Sequence, residues 1–281
     1  MTGFGLIELM IAMVLGLIVI GAAFAIFISS QNTYRSNEDL SRIQESARIA
    51  FELMSRDIRA AGGSACSNFS VVEGSGTVVE RFRDEAVRGT TNADGVDSLR
   101  VVSGDDAAYR VLASTSGSVT LDPDELDAAD DVFDVDDFIL LCNARKTHVV
   151  QTTGVSGMTV SFATLPGGYN PTSDEYAPPG AVVLARLRDV NWFVGDNGRG
   201  GNSLFVSRMG GTPQEVAEGV RELDFEYLQA GSNAYVAAAT VADWRNVIAV
   251  RMTMTLQGIS ADGEALTRTA SNVVSMRGRT L

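Results

Sequence analysis

The feature that most constrains this chain is an apolar run near its beginning, from Phe4 to Ile28. The run is 25 residues long, and its only charged residue is Glu8. As an α-helix it would extend about 37 Å, which is enough to cross the hydrocarbon core of a membrane. Polar residues 29–32 follow at once, without the small-residue cleavage site of a secretory signal peptide. We therefore expect a single membrane-spanning helix.

Glu8 is unexpected inside such a run. A carboxylate at the centre of a spanning helix costs about 2.5–3.5 kcal/mol on insertion scales. One interpretation is that the side chain snorkels to the headgroups. The alternative is that cleavage after Gly3 frees an α-amino group at Phe4, whose positive charge offsets the carboxylate, most effectively on a neighbouring subunit. Taken alone, these residues leave both interpretations open.

The segment after the apolar run has a helical pattern. Between Asn37 and Ala61 apolar residues recur at steps of three and four, and Gly62 and Gly63 provide a stop. The stripe consists of Leu40, Ile43, Ala47, Phe51, Met54, Ile58 and Ala61. Charged residues, among them Asp57, are assigned to the opposite, polar face. We expect one helix that continues from the membrane into an extracytoplasmic domain, where its apolar stripe lies on a sheet.

After Gly63 the pattern changes to short extended runs separated by Gly, Asn and Asp, which predicts β-strands. The predicted strands are Ser70–Val79, Ser98–Val102, Asp137–Leu141, Met158–Phe162, Ala181–Leu187, Ser203–Ser207, Leu223–Leu228, Val247–Leu256 and Ala265–Ser271. Together with the long helix they predict the α+β class, without a second independent domain. Residues 197–202, rich in Gly and Asn, are predicted to form a flexible hairpin or loop.

The composition argues against several classes of function. Acidic residues outnumber basic ones 35 to 22, and the net charge of −13 disfavours binding to nucleic acid phosphates. His148 is the only histidine and Lys146 the only lysine. With two cysteines they cannot supply a Cys₂His₂ or Cys₄ zinc site or the lysine-containing loop of a Walker motif. No motif surrounds a Ser or Cys nucleophile, so we expect neither an enzyme nor a cofactor.

An acidic segment runs from Asp122 to Asp137, and nine of its sixteen residues are Asp or Glu. Asp122, Asp124 and Asp127 resemble the start of a calcium loop only loosely, because the central Gly and terminal Glu of an EF-hand are missing. A solvated acidic loop is the favoured interpretation, and calcium binding is the alternative.

Residues Gly3–Met10 resemble the class III signal of type IV pilins and type II secretion pseudopilins. In this family a Gly is followed by Phe and by an apolar stretch that carries Glu at the fifth mature position. The resemblance implies that prepilin peptidase cleaves after Gly3 and that Phe4 becomes the N-methylated mature N-terminus. It also implies that Glu8 is the glutamate required for assembly.

Further segments are similar to the PilW family of minor pilins and to its J-type pseudopilin relatives. They are residues 34–35, Leu40–Arg48, Arg56–Gly62, Cys66, Glu218–Val220, Phe225–Tyr227 and Trp244–Val247. The resemblance implies a type IV pilin fold, in which a long N-terminal helix packs on an antiparallel sheet with β-rich insertions. Residues 1–3 would be the leader, 4–28 the transmembrane helix, 29–62 its amphipathic continuation, and 63–281 the periplasmic pilin domain.

Cys66 and Cys142 are the only cysteines. In an oxidising compartment outside the cytoplasm an even pair favours a disulfide. Such a bridge would fix the end of the helix to the sheet. The alternative is two separate buried thiols.

The resemblance predicts a minor pilin that primes assembly of a type IV pilus and lies at its tip, with roles in twitching motility and cell adhesion. The chain would enter the inner membrane with a cytoplasmic N-terminus and a periplasmic body, and then reach the pilus on the cell surface. Its expected partners are other minor pilins, the major pilin, prepilin peptidase, the inner-membrane assembly platform, a large tip adhesin and membrane lipid, with no nucleic acid.

Three alternatives stand beside this prediction. The nearest is a J-type minor pseudopilin at the tip of a type II secretion pseudopilus. A membrane-anchored binding or DNA-uptake module would need a basic or aromatic groove on the β-rich body. A tethered enzyme would need a cluster of catalytic groups. The sequence displays neither of these last two features.

Overall fold

The computed structural model describes residues 5–67, 70–93, 95–163, 182–259 and 265–277. Its first element is α1, one continuous helix of 55 residues from Leu6 to Ala60. The helix ends where the two glycines predict, since Gly62 takes a positive φ of 69° that other residues adopt only with strain. The backbone N–H of Gly62 donates to the carbonyl of Val102 at 2.9 Å, which turns the chain towards the β-rich body.

The remainder of the described chain contains a second helix, α2, and fourteen strands. Helix α2 spans Thr77–Asp84. The strands are β1 (Val71–Glu73), β2 (Val87–Thr91), β3 (Asp97–Ser114), β4 (Ser118–Leu121), β5 (Phe138–Cys142), β6 (Lys146–Ser156), β7 (Thr159–Phe162), β8 (Val183–Asp196), β9 (Asn202–Arg208), β10 (Gln214–Glu218), β11 (Val220–Gln229), β12 (Tyr235–Ala237), β13 (Val247–Ile259) and β14 (Ala265–Ser275). The predicted α+β class is confirmed.

The prediction of a single strand over Ser70–Val79 is wrong in its second half. Only β1 is extended there, and Gly74 and Gly76, both with positive φ, lead into α2. Helix α2 buries Val79 and Phe82, which lie on one helix face because they are three residues apart.

Six antiparallel strands form a closed ring. Strand β3 pairs with β8, and the ring continues through β5, β6, β7 and β4 back to the second half of β3. The side chains inside this barrel form a core without any residue of α1. They are Val111, Val119, Leu121, Ala129, Phe133, Ile139, Leu141, Val150, Val160, Phe162, Val182 and Leu184. The barrel is therefore a separate apolar unit attached to the part of the body that contacts the helix.

The other sheet is antiparallel and has the strand order β12-β11-β13-β14. The apolar stripe of α1 lies on it, with Met54 and Ile58 fully buried against residues such as Met252 and Met254. The side chain of Ile43 lies at Gly258, near the start of β14. The backbone N–H of Arg277, just after the end of β14, donates a hydrogen bond to the carbonyl of Arg59. Helix α1 thus runs along β14 in the same direction as that strand.

The second half of α1 is also covered from another side. Strands β8 and β9 and their neighbour β10 contribute Trp192, Val194, Leu204, Val206 and Ala217 to the same core as the helix stripe. Because two sheets enclose this part of the helix, its buried surface is wider than a single stripe.

Candidate assembly surface and its supports

The first half of α1 makes no contact with the described residues of the body. It is the one helix in the described residues that is long and apolar enough to span a membrane. Its large apolar side chains are exposed, from Leu6 at 81% to Ile28 at 55%. A stretch this apolar is stable in water only when another apolar phase covers it. The candidate functional surface is therefore the exposed helix surface Leu6–Ile28, which we call the spanning segment.

Glu8 lies in the first turn of α1, where its carboxylate Oε2 accepts a hydrogen bond from the backbone N–H of Gly5 at 3.2 Å. Helix N-termini leave N–H groups unpaired and carry partial positive charge, so a carboxylate at this position is favourable. Gly3 and Phe4, the predicted cleavage and methylation residues, lie outside the described residues. The geometry thus assigns Glu8 a local capping contact at the end of the spanning segment.

Asp57 holds the second half of α1 in register on the body. Its Oδ2 accepts a hydrogen bond from Trp192 Nε1 at 2.9 Å, and its Oδ1 accepts one from the Arg188 guanidinium at 3.1 Å. Burial raises the pKa of Asp57, while the bonds from Trp192 and Arg188 act in the opposite direction. The sequence had assigned Asp57 to the polar face. It is buried because β8 covers that side of the helix.

Cys66 and Cys142 form a disulfide in the structure, with their Cα atoms 6.0 Å apart. Cys142 ends β5 of the barrel, and Cys66 follows the end of α1. Near the bridge the hydroxyls of Ser70 and Thr147 are 2.7 Å apart. The covalent bond therefore joins the segment after the helix to the barrel.

The acidic segment covers one end of the barrel. Ala129 and Phe133 are buried in the barrel core, and the backbone carbonyl of Asp134 accepts a hydrogen bond from the Thr152 hydroxyl at 2.5 Å. The charged residues between these anchors remain at the surface. The segment is thus a structured loop rather than an extended tail.

The three calcium candidates differ in their surroundings. Asp122 is buried, and its carboxylate lies 3.3 Å from Arg110, whereas Asp124 and Asp127 are exposed. The other oxygen of Asp122 accepts the backbone N–H of Asp124 at 3.0 Å. Within the described part of the chain no three acidic, His or Cys side chains form a group that could hold a metal ion.

His148 lies in β6 and is 3% exposed. It pairs with Leu141 across the barrel wall and with Glu73 of β1 on its other side. Burial lowers its pKa, and the nearby carboxylate of Glu73 acts in the opposite direction. His148 is therefore placed as a core residue, in a region that holds the disulfide and β1.

A cleft of about 680 Å³ lies between α2, β2 and β3 and is lined by four arginines, Arg81, Arg83, Arg88 and Arg100. Arg100 and Arg81 both face the carboxylate of Asp189, at 3.4 and 3.9 Å. The cleft is also lined by Glu80, Asp84 and Glu85, so its positive charges are compensated within the chain.

The predicted hairpin at residues 197–202 connects β8 to β9.

Comparison with models of protein families, with curated proteins and with solved structures found no match.

Proposed function

We propose that this chain is a minor pilin of a type IV pilus, similar to the PilW family, that takes part in priming assembly and lies at the pilus tip. The observation that carries the proposal is the division of α1 into two parts. The exposed spanning segment has the length and composition for a membrane, and the second half is buried on an antiparallel sheet. A long helix with this division, laid on an antiparallel sheet, is the arrangement expected of a type IV pilin.

The proposed mechanism is transfer of the spanning segment from lipid to the helices of neighbouring subunits. Helix association inside a membrane depends on packing and polar contacts, since lipid tails already cover apolar side chains. A charge pair is then a strong determinant of register, because charges interact strongly in a medium of low polarity. We propose that Glu8 meets the Phe4 amine of an adjacent subunit, and that prepilin peptidase creates this amine by cleaving after Gly3.

The barrel supports a place at the tip rather than in a repeating filament body. Its core is separate from the core that contains α1, so it is an addition to the unit that carries the helix. A bulky addition of this kind is sterically easier to place at the end of a filament than between repeating subunits. The same position would present the barrel to an adhesin or to a surface.

The direct test is the intact mass of the chain recovered from membranes and from sheared filaments. The proposal predicts loss of residues 1–3 and gain of one methyl group. A chain that keeps its first three residues while filaments form normally would contradict it. Deletion of the gene separates the two filament systems, because loss of twitching identifies a pilus subunit and loss of exoprotein release identifies a type II pseudopilin.

A further inference from the structure

Strand β14 forms an edge of the four-stranded sheet. It pairs with β13 over all eleven residues without a register shift, and no described strand pairs with its other side. The strands at the other sheet ends are much shorter, with five residues in β2 and β10 and three in β12. Long edge strands offer a row of unpaired backbone groups to other chains, so natural proteins usually shorten or protect them.

The backbone groups that face outwards can be identified from the pairing. The N–H of Met276 donates to the carbonyl of its partner Ile248 at 2.9 Å, so this pair is hydrogen-bonded. Because bonded pairs alternate along an antiparallel ladder, the even-numbered residues of β14 bond to β13. The N–H and C=O groups of the odd-numbered residues therefore point to the open side. From Thr267 onwards these residues are Thr267, Thr269, Ser271, Val273 and Ser275.

Among the residues that the structure describes, nothing gives this edge the usual protection. Strand β14 contains no proline and no acidic residue, and its one charged residue is Arg268. From Thr267 to Ser275 the side chains of the odd-numbered residues are uncharged and exposed, including Val273 at 52%. These side chains lie beside hydroxyl side chains of β13, and the hydroxyls of Thr253 and Ser271 are 2.7 Å apart. An incoming strand would meet uncharged, β-branched or small neighbours, which pair well across strands.

A second copy in the same membrane cannot fill this edge in the antiparallel direction. Helix α1 runs along β14, with Ile43 near its start and Arg59 near its end. Two β14 strands that pair antiparallel are related by a two-fold axis perpendicular to the sheet. This rotation makes α1 of the second copy run in the direction opposite to α1 of the first. The spanning segment of the second copy would then point away from the membrane that holds the first.

A parallel second copy related by an exact two-fold axis along the strands is excluded by the hydrogen-bonding pattern. In a parallel ladder each bonded residue reaches the two residues that flank the one opposite to it. Outward-facing residues of one strand must therefore oppose inward-facing residues of the other. A two-fold axis along the strands instead places identical residues opposite each other, so the bonds cannot form. Pairing of β14 with β12 of another copy would be limited to three residues.

We propose that the outer edge of β14 binds an extended, uncharged segment of a different polypeptide by β-strand addition. The backbone of the odd-numbered residues supplies the hydrogen bonds, and the uncharged side chains beside them set the preference for the segment. This mode of recognition extends a sheet by one strand from another chain. The inference uses the direction of α1 and the edge of β14, and it does not depend on assignment to a pilus.

The first test uses the full chain in detergent and a fluorescent peptide with the sequence of residues 266–275. A free peptide carries no α1, so it can pair antiparallel with the edge and oppose Thr269 with Ser271 and Thr267 with Val273. We expect anisotropy to show binding to the unaltered chain and to Thr269→Val. Thr269→Pro should weaken binding about tenfold or more, because it removes an outward N–H while leaving the bonds to β13 in place.

The two variants change the same residue, Thr269, and differ in whether its backbone N–H is kept. Tryptophan fluorescence and the presence of the native disulfide verify that both variants are folded. Val273→Lys provides a second test that does not alter the backbone, and its edge charge should also weaken binding. Absence of binding to the unaltered chain overturns the proposal. Equal binding by Thr269→Pro and Thr269→Val overturns it too, since the contact would not be made by the backbone.

The second test places a photo-crosslinking amino acid at Thr267 in the cell that makes the chain. We expect an adduct with another polypeptide that disappears when Thr269→Pro is added and persists with Thr269→Val. An adduct that contains two copies of this chain would contradict the assignment to a different polypeptide. An adduct unaffected by Thr269→Pro would contradict strand addition.

Discussion

The hydroxyl of Tyr227 lies directly against the backbone of Gly89, so that a Cβ on Gly89 would stand 1.9 Å from the Tyr227 oxygen. Tyr227 is fully buried, and its ring meets Trp244 edge to face with centroids 4.8 Å apart. This contact brings β2 of one sheet against β11 of the other. Glycine at position 89 is therefore required by space rather than by backbone conformation.

We expect Gly89→Ala to destabilise the fold by about 2–3 kcal/mol, because a methyl group must displace a buried aromatic ring. Chemical denaturation of the full chain in detergent, followed by tryptophan fluorescence, measures the free energy of unfolding. Gly154→Ala is the matched control, since a Cβ on this strand glycine meets only Ser161 at 3.9 Å. Equal stability of the two variants would show that the ring moves without cost.

Tyr227→Phe tests the hydroxyl by itself. The oxygen is buried without a hydrogen-bond partner among the described residues, and burial raises the pKa of this phenol strongly. Removing an unsatisfied buried polar group is neutral or stabilising, by about 1 kcal/mol. We expect the free energy of unfolding to stay unchanged or rise, and a loss of more than about 1 kcal/mol would reveal a partner for the hydroxyl.

The pH dependence of stability should carry a contribution from Asp57. Its folded pKa is raised above the ordinary value of 3.8, chiefly by burial, so the folded state binds the proton more tightly than the unfolded state. Stability should therefore fall as pH rises from about 3.8 to the raised pKa, and then level off. Asp57→Asn removes the titratable carboxyl group and should abolish this contribution to the pH dependence of the free energy of unfolding. Identical pH profiles for the two proteins would contradict the assignment.

The sequence predicted the parts of the fold that depend on local pattern. Steps of three and four residues indicated the second half of α1, and alternation indicated strands such as β13. Strand β3 was predicted only over Ser98–Val102, because Gly104 and the acidic pair after it interrupt the alternation. In the structure β3 continues through this point to Ser114, since β8 pairs with it on both sides of the irregularity.

The closed barrel and the position of Asp57 could not be predicted in this way. Closure depends on the pairing of β3 with β8, whose residues are far apart in sequence, and no local period encodes that register. Asp57 was assigned to the polar face because a stripe analysis assumes that one side of a helix is covered. Trp192 and Arg188 of β8 donate hydrogen bonds to it. The burial of Asp57 could not be predicted, because the stripe analysis did not include a second sheet against the helix.

The disulfide should contribute substantially to stability. Cys66 and Cys142 are 76 positions apart, and closing a loop of this length in the unfolded chain is worth about 3–5 kcal/mol in the chain-entropy model. We expect the double variant Cys66→Ser with Cys142→Ser to lose stability by this amount. A reductant should lower the stability of the unaltered chain to the same level and leave the double variant unchanged. A further loss in the double variant would mean that the reductant acts elsewhere.

Glu8 can be tested with two variants that separate charge from capping. Glu8→Ala removes both the negative charge and the acceptor for the Gly5 N–H, whereas Glu8→Gln removes the charge and keeps an amide oxygen in reach of that N–H. If Glu8 pairs with the amine of a neighbouring subunit, both variants should be inserted and cleaved normally but should fail to enter filaments. Intact mass of the membrane pool measures cleavage, and the amount of the chain in sheared filaments measures assembly.

The Gln variant decides between the two roles of Glu8. A capping role alone predicts that Glu8→Gln assembles normally and only Glu8→Ala fails, because a neutral amide oxygen satisfies the N–H group of a helix terminus. A charge-pairing role predicts that both fail, since a neutral amide cannot offset a buried ammonium group in a medium of low polarity. Normal assembly of both variants would remove the electrostatic basis of the proposed mechanism, and packing of the spanning segment would then have to set the register between subunits.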